Sequence, residues 1–298
     1  MIFLYQTIIG SLGNCLLFCY YNFHCFMRRT GRSTYLIVQH LTLANFLVIL
    51  TKGVPQTMAA LGMKDFLSDT GCKLVFYVHR VSRGMCVGST CFLSVFQAIT
   101  VSPMVSRWKE VKRHISERMG TAHILTSCWL VNMLLYVIVP MRVTSQQYGM
   151  EKMSFGYCGA VSTRITYPLH LILWSSYDVL CLGLMVWSSG FMIFILHRHK
   201  HQVQHIRSTN YSLRSCPESR ATRGILALVS TFVLSYVLSS VFSLTMALSI
   251  GPGVWLVKTS ALMAACFSVA AYMPASHRIS VLLSACCGRS VYSSRLVR

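Results

Sequence analysis

Long apolar stretches alternate with short polar connections along the whole chain. Seven of them can each cross a membrane: 2–26, 34–61, 72–101, 119–140, 169–196, 223–250 and 255–274. Each reaches the roughly 20 residues that a hydrocarbon core about 30 Å thick demands of a helix. Their apolar positions are continuous and do not alternate with polar ones, which predicts helices and argues against a transmembrane β-barrel. The expected fold is an all-α membrane protein, one seven-helix bundle, with residues 275–298 as a tail. Proline and glycine punctuate the pattern: Pro103, Pro140 and Pro274 close runs, Pro168 precedes the fifth, and Gly251-Pro252-Gly253 divides the sixth from the seventh. Gly53 and Pro55 predict a bend in the outer half of the second run. The first run starts almost at Met1 without a basic leader or an A-x-A site, so it reads as a span with little chain before it, not as a cleavable signal.

One run breaks the apolar rule. The stretch 71–103, GCKLVFYVHRVSRGMCVGSTCFLSVFQAITVSP, carries Arg80 and Arg83 well inside it. An arginine at mid-bilayer costs on the order of 2.5–3.5 kcal/mol on insertion scales. A helix with two is expected to face a protein interior or a wet cavity, at the centre of the bundle.

Composition agrees with a membrane setting. The 298 residues are 54% hydrophobic and 11% charged, with mean hydropathy +0.55, whereas soluble proteins are roughly a quarter charged. The net charge of +20 would point to nucleic acid in a soluble protein, but its placement follows loop topology. Basic residues gather in 27–33 (Arg28, Arg29, Arg32), 102–118 (Arg107, Lys109, Lys112, Arg113, Arg118), 197–223 (Arg198, Lys200, Arg207, Arg214, Arg220, Arg223) and the tail (Arg278, Arg289, Arg295, Arg298). The alternate loops hold only Lys64, Arg142, Lys152 and Arg164. The positive-inside rule then puts the N-terminus outside and the C-terminus inside.

Chemistry-bearing motifs are few. Most of the 13 cysteines lie within apolar runs, no CxxC pair suggests a metal, and no cofactor is called for. HExxH, GxSxG and P-loop patterns are absent, as are paired intramembrane carboxylates, so an enzyme is not expected. A transporter is the alternative from another class, without the internal repeats that transporters commonly show. In this topology Cys72 tops the third run and Cys158 lies in the outer loop 141–168, both on the oxidising side. They can pair and pin that loop over the bundle mouth; the alternative is two free thiols. The sequon Asn210-Tyr211-Ser212 falls on the inner side and reads as chance.

Two further blocks, HLTLANFLVILTKGVPQTMAALG (40–62) and SCPESRATRGILALVSTFVLSYVLSSVFS (215–243), join 71–103 and DVLCLGLMVWSSGFMIFILHRHKHQVQHIRS (178–208) in a specific likeness. Together they resemble the signature blocks of vomeronasal type 1 receptors, a family of G-protein-coupled receptors, over nearly the whole chain. Phe96-Gln97-Ala98 stands where rhodopsin-like receptors have Asp-Arg-Tyr, and Asn45 where they commonly have a sodium-binding Asp; both fit the family. The stretch ACFSVAAYMPASHR, with Pro274 displaced, and an outer loop lacking a sequon before Cys158 depart from it. The resemblance implies a plasma-membrane, multi-pass chemosensory receptor for a pheromone-like small molecule, acting on a heterotrimeric G protein of the Gi/Go type. A non-signalling relic of the family is the other reading it leaves.

The third run supplies the candidate pocket. Arg80 and Arg83 lie about 12 and 16 Å below Cys72 at helical rise, and Phe76, His79, Arg80 and Arg83 share a broad helical face. Asp178, in the fifth run, is the only acid in any run and is a candidate partner for one arginine. The remaining cation suits an anionic or hydrogen-bond-accepting ligand, such as a sulfated steroid. Trp174 and Tyr177 read as pocket or interfacial belt, and Tyr236 as contact or packing. Lys52 and Lys258 either add to a positive outer cavity or snorkel to headgroups. Inside, Gln97, Arg107, Lys109, Lys112, Arg113, Arg198 and Lys200 form a candidate G-protein face, with attraction to anionic lipid as the simpler reading. His197, His201 and His205 read as part of a basic juxtamembrane helix and not as metal ligands. Cys286-Cys287 is a candidate palmitoylation site.

Overall fold

A computed structural model describes residues 2–27, 33–63, 66–101, 113, 118–144, 152–154, 158–161 and 166–206, with 230, 233, 234, 237 and 238. The chain divides into two compact units, Met1–Thr222 and Arg223–Arg298. In the first unit the described helices are α1 (Ile2–Met27), α2 (Ser33–Ala60), α3 (Asp69–Val101), α4 (Arg118–Leu135) and α5 (Thr166–Ile206), with a one-turn helix at Val139–Arg142. Three strands, β1 (Val143–Thr144), β2 (Lys152–Ser154) and β3 (Gly159–Val161), form an antiparallel sheet in the order β1-β3-β2. In the second unit Ser230, Val233, Leu234, Val237 and Leu238 are helical, within the sixth apolar run. The seventh run lies outside the described residues.

Local chemistry fixes the element ends. α2 stops where Gly62 adopts φ 89°, a left-handed conformation that glycine accepts without a Cβ penalty. Gly62 N–H donates to Ala59 O at 3.1 Å and Met63 N–H to Met58 O at 3.2 Å, so a Schellman-type cap consumes the last carbonyls. At the start of α3, Ser68 Oγ accepts from Gly71 N–H at 3.2 Å, an N-cap that satisfies one orphan donor. Asp69, in the first turn, pairs with Lys73 at 2.5 Å and complements the helix dipole. α5 opens with Pro168 in its first turn, where a missing N–H removes no helical bond.

Helix α3 is the centre of the first unit. It packs against α2, α4, α5, the one-turn helix and β1, while α1 packs on α2. Nearly every residue from Val81 to Ala98 of α3 is buried. Some polar groups in this interior are satisfied locally: Thr90 Oγ1 donates to Cys86 O at 2.8 Å, Ser94 Oγ to Thr90 O at 2.9 Å and Asn14 Nδ2 to Gly10 O at 2.8 Å, whereas Ser82 Oγ, Ser89 Oγ and Gln97 Oε1 are buried without a hydrogen bond. Such back-bonding lets Ser, Thr and Asn sit where no water reaches.

The outer faces show the reverse pattern. Leu130, Leu134, Val179, Leu180, Trp187 and Phe194 are all exposed, a surface that water penalises and a bilayer accepts. Ser33–Ala60, Met119–Met141 and Ser175–Ile195 are each long and apolar enough to cross a membrane.

One expectation needs correction. The fourth run does not continue as one helix to Pro140: α4 ends at Leu135, a turn follows at 136–138, and a new helical turn begins at Val139. Pro140 cannot donate the backbone bond that a continuous helix needs there. The fifth run, 169–196, lies within α5 and encloses the apolar stretch Ser175–Ile195, and the basic juxtamembrane helix expected at His197, His201 and His205 is its continuation. α5 extends through the polar segment HRHKHQVQHI to Ile206, because hydropathy marks where the bilayer would end and not where helical hydrogen bonding ends.

Candidate ligand site in the helix bundle

At one end of α3 lies a bridge between Cys72 and Cys158, whose Cα atoms are 6.0 Å apart. Both cysteines are fully buried, in a cluster with Val81, Tyr136 and Val139 against which Phe76 and Tyr77 pack. Cys158 immediately precedes β3, the central strand, so the bridge ties the sheet to the head of α3.

About two to three turns further along α3 are the charged groups. His79 faces α2, with Nδ1 3.3 Å from Thr51 Oγ1. The Thr51 hydroxyl also donates to Leu47 O at 2.7 Å, so it is held in place rather than free to rotate. Lys52, beside Thr51, is half-buried and lies within electrostatic reach of His79, Arg80 and Arg83. Lys52 thus stands near the α2–α3 interface. Arg83 is half-buried while Arg80 is exposed, so the expected common face is graded in solvent access. Asp178 of α5 is half-buried, and Tyr136 feels its charge together with those of Arg80 and Arg83. The candidate arginines and the carboxylate are thus all within electrostatic reach of Tyr136, in the turn after α4.

Below this region the helices close on one another. Tyr177 OH receives a hydrogen bond from Asn132 Nδ2 at 3.1 Å, lies 3.5 Å from Gly84 O as its donor, and sits 3.7 Å from Cys128 Sγ. This places Tyr177 in an α3–α4–α5 junction. The junction exists because Gly84 and Gly88 leave room. A Cβ on Gly88 would lie 2.5 Å from Cys128 Sγ and 2.6 Å from Tyr177 OH, and one on Gly84 would overlap Asn132. Gly84 and Gly88 form a G-xxx-G pair, the spacing that lets membrane helices approach closely. That signal was present in the sequence, as was Asn132 within an apolar run; the mutual registry of three helices was not.

Two more contacts brace the same helices. Trp129 Nε1 donates to His40 Nδ1 at 3.1 Å, tying α4 to α2, and Cys86 Sγ donates to Asn45 Oδ1 at 3.1 Å, tying α3 to α2. Asn45 therefore has a thiol partner at the position where rhodopsin-like relatives commonly place a carboxylate.

The remaining candidates separate. Gln97 is only 8% exposed, packed inside the last turns of α3 between Phe96 and Ala98. It does not offer its side chain to a partner in this state. Arg113 and Arg198 are exposed, as a docking or lipid-facing surface requires. Lys200 lies in α5; its side chain, and that of Trp174, are outside the described residues. So are Arg107, Lys109, Lys112, Tyr236, Lys258, Cys286 and Cys287.

Comparison with known proteins draws on the entire chain. The sequence model of the vomeronasal organ pheromone receptor family matches residues 1–277. The protein belongs to that family. It is 52% identical to human (Homo sapiens) vomeronasal type-1 receptor 3 over an alignment of 305 positions, covering 100% of this chain and 97% of that receptor. It is 50% identical to vomeronasal type-1 receptor 3 of Pan troglodytes over 300 positions, covering 98% and 96% of the two chains. A more distant relative, olfactory receptor class A-like protein 1 of Danio rerio, is 33% identical over 244 positions, covering 80% and 76%. As a vomeronasal-type receptor the chain is a membrane protein of the chemosensory class, and the helical, apolar-faced unit and its disulfide agree with that membership.

Proposed function

We propose that the chain is a seven-span receptor, N-terminus outside, that binds a small chemosensory ligand among its helices and activates a heterotrimeric G protein of the Gi/Go type. One observation carries the ligand reading: Lys52 on α2, Arg83 on α3 and Asp178 on α5 are half-buried about one region of an apolar bundle, with Arg80 exposed beside them. Charges held in such a place are costly, and a structural role alone needs one pair, not four charged groups. A ligand that engages them unequally in two arrangements of the helices shifts the population toward one of them. Ligand access is read from the side bearing the Cys72–Cys158 bridge, because that side carries the fewest basic loop residues. The exposed Arg113 and Arg198, with the basic residues of 102–118 and 197–223, support a cytoplasmic docking face for the G protein, also suited to anionic lipid.

The test is nucleotide exchange on purified Gi/Go with the full-length receptor in lipid nanodiscs, screened against volatile and amphiphilic small molecules. At least one compound should accelerate exchange in a saturable, receptor-dependent way. Compound-driven solute flux in sealed vesicles without any exchange would replace the receptor reading with a transporter.

A further inference from the structure

The hydrogen bond from Trp129 to His40 cannot survive a second proton on the imidazole. An indole nitrogen donates and never accepts. Trp129 Nε1 lies 3.1 Å from His40 Nδ1, so Nδ1 is the bare nitrogen and the single ring hydrogen sits on Nε2. Protonating Nδ1 would set two N–H groups against each other. The other polar links of α2 lack this property. Gln39 Nε2 donates to Asn22 Oδ1 at 2.6 Å and Cys86 Sγ to Asn45 Oδ1 at 3.1 Å, and neither acceptor is a base. The contact between His79 and Thr51 also differs, because a hydroxyl can accept as well as donate.

Nothing near His40 offsets an added charge. The groups that meet this part of α2 are neutral: Tyr21 of α1 against Tyr35, Asn22 of α1 against Gln39, Cys86 of α3 against Asn45, and Trp129 of α4. Lys52 stands about 18 Å further along α2 at helical rise. Among the described residues no charged side chain acts on His40. The helices packed on α2 carry three more histidines, His24 of α1, His79 of α3 and His123 of α4. His40 and Trp129 are both half-buried, so the ring is not sealed from protons. We propose that the Trp129–His40 bond is a pH-sensitive brace, which holds α4 to the first half of α2 while His40 is neutral and lets go when acid protonates it. The folded state needs the ring neutral, whereas the unfolded chain takes up a proton freely. The brace therefore contributes fully above the ordinary histidine range near pH 6.5, and its contribution is lost as pH falls through that range. This device goes beyond the receptor reading and does not depend on it.

The test is thermal unfolding of the full-length protein in nanodiscs of neutral phosphatidylcholine, at about pH 8 and about pH 5, on either side of the histidine range. The parent, His40→Leu, Trp129→Phe and the double variant form a cycle. Acid effects that act through His24, His79 or His123 are common to all four proteins and cancel in it. At the higher pH the coupling between the two positions should be about 2–4 °C in the unfolding midpoint, as one hydrogen bond would give. At the lower pH it should vanish. A further variant, His40→Gln, keeps an oxygen that can accept from the indole and does not titrate. It should lose less of its midpoint on acidification than the parent does, and this comparison decides the matter even where Trp129→Phe does not fold. A coupling of equal size at both pH values, no coupling at the higher pH, or equal acid shifts in the parent and His40→Gln overturns the proposal.

Discussion

Gly88→Leu is expected to abolish recovery of folded receptor, while Gly190→Leu leaves it close to the parent level. Both glycines sit inside long helices, Gly88 in α3 and Gly190 in α5, and both substitutions add the same side chain. They differ in what the side chain meets. At Gly88 the first added atom alone would lie 2.5 Å from Cys128 Sγ and 2.6 Å from Tyr177 OH, and the hydroxyl cannot simply swing away. It is engaged with Asn132 Nδ2 and Gly84 O, so moving it strips the hydroxyl of its partners at about 1–3 kcal/mol. Overpacking adds roughly 1–3 kcal/mol more, and together these approach the whole stability of a typical domain. At Gly190 no atom of the described residues stands within 4 Å of the new Cβ. The measurement is the yield of monodisperse receptor and its unfolding midpoint in detergent. Equal behaviour of the two variants would mean that α3, α4 and α5 do not close at Gly88.

The second large effect is expected from the bridge. Cys72 and Cys158 are 86 residues apart in sequence, so the bridge closes a long loop and restricts the unfolded chain. Removing it should cost roughly 2–5 kcal/mol and free the sheet β1-β3-β2 from the head of α3. Cys72→Ser and Cys158→Ser should each lower surface expression severely. The double variant should be little worse than either single one, because the second substitution has no bond left to break. Additive losses in surface labelling would show that the two thiols act separately.

The hydropathy pattern made the helices legible because membrane spans must satisfy their own backbone and present apolar side chains. The expected second run, 34–61, and the observed α2, Ser33–Ala60, differ by one residue at each end. The same rule was blind to the last ten residues of α5, which are helical without being apolar. It was equally blind to the break after Leu135, which depends on where Pro140 falls relative to the preceding turn. Within the site, Arg80, Arg83 and Asp178 stood out as charges in apolar runs, and the structure gathers them around Tyr136. Lys52 was harder to place. A lysine near a span end has two inexpensive fates, headgroup or cavity, and only the rotation of α2 against α3 decides between them. Tyr177 shows the limit from the other side: an aromatic near a span end fits an interfacial belt, yet its hydroxyl is committed to a junction that three helices build together. Gln97, which alignment with a signalling triplet makes a candidate for G-protein contact, is turned inward in this state.

The central claim is that the polar face of α3 receives the ligand of a signalling receptor. Its most direct measurement is a concentration–response curve for nucleotide exchange, comparing the parent with Arg83→Ala at matched amounts of folded receptor. Arg83→Ala should respond only at concentrations at least about tenfold higher, or not at all, as expected when a charge-assisted contact worth about 1.5–3 kcal/mol is removed. Unchanged potency and unchanged maximal exchange in Arg83→Ala would contradict the claim and remove this face of α3 from the ligand site.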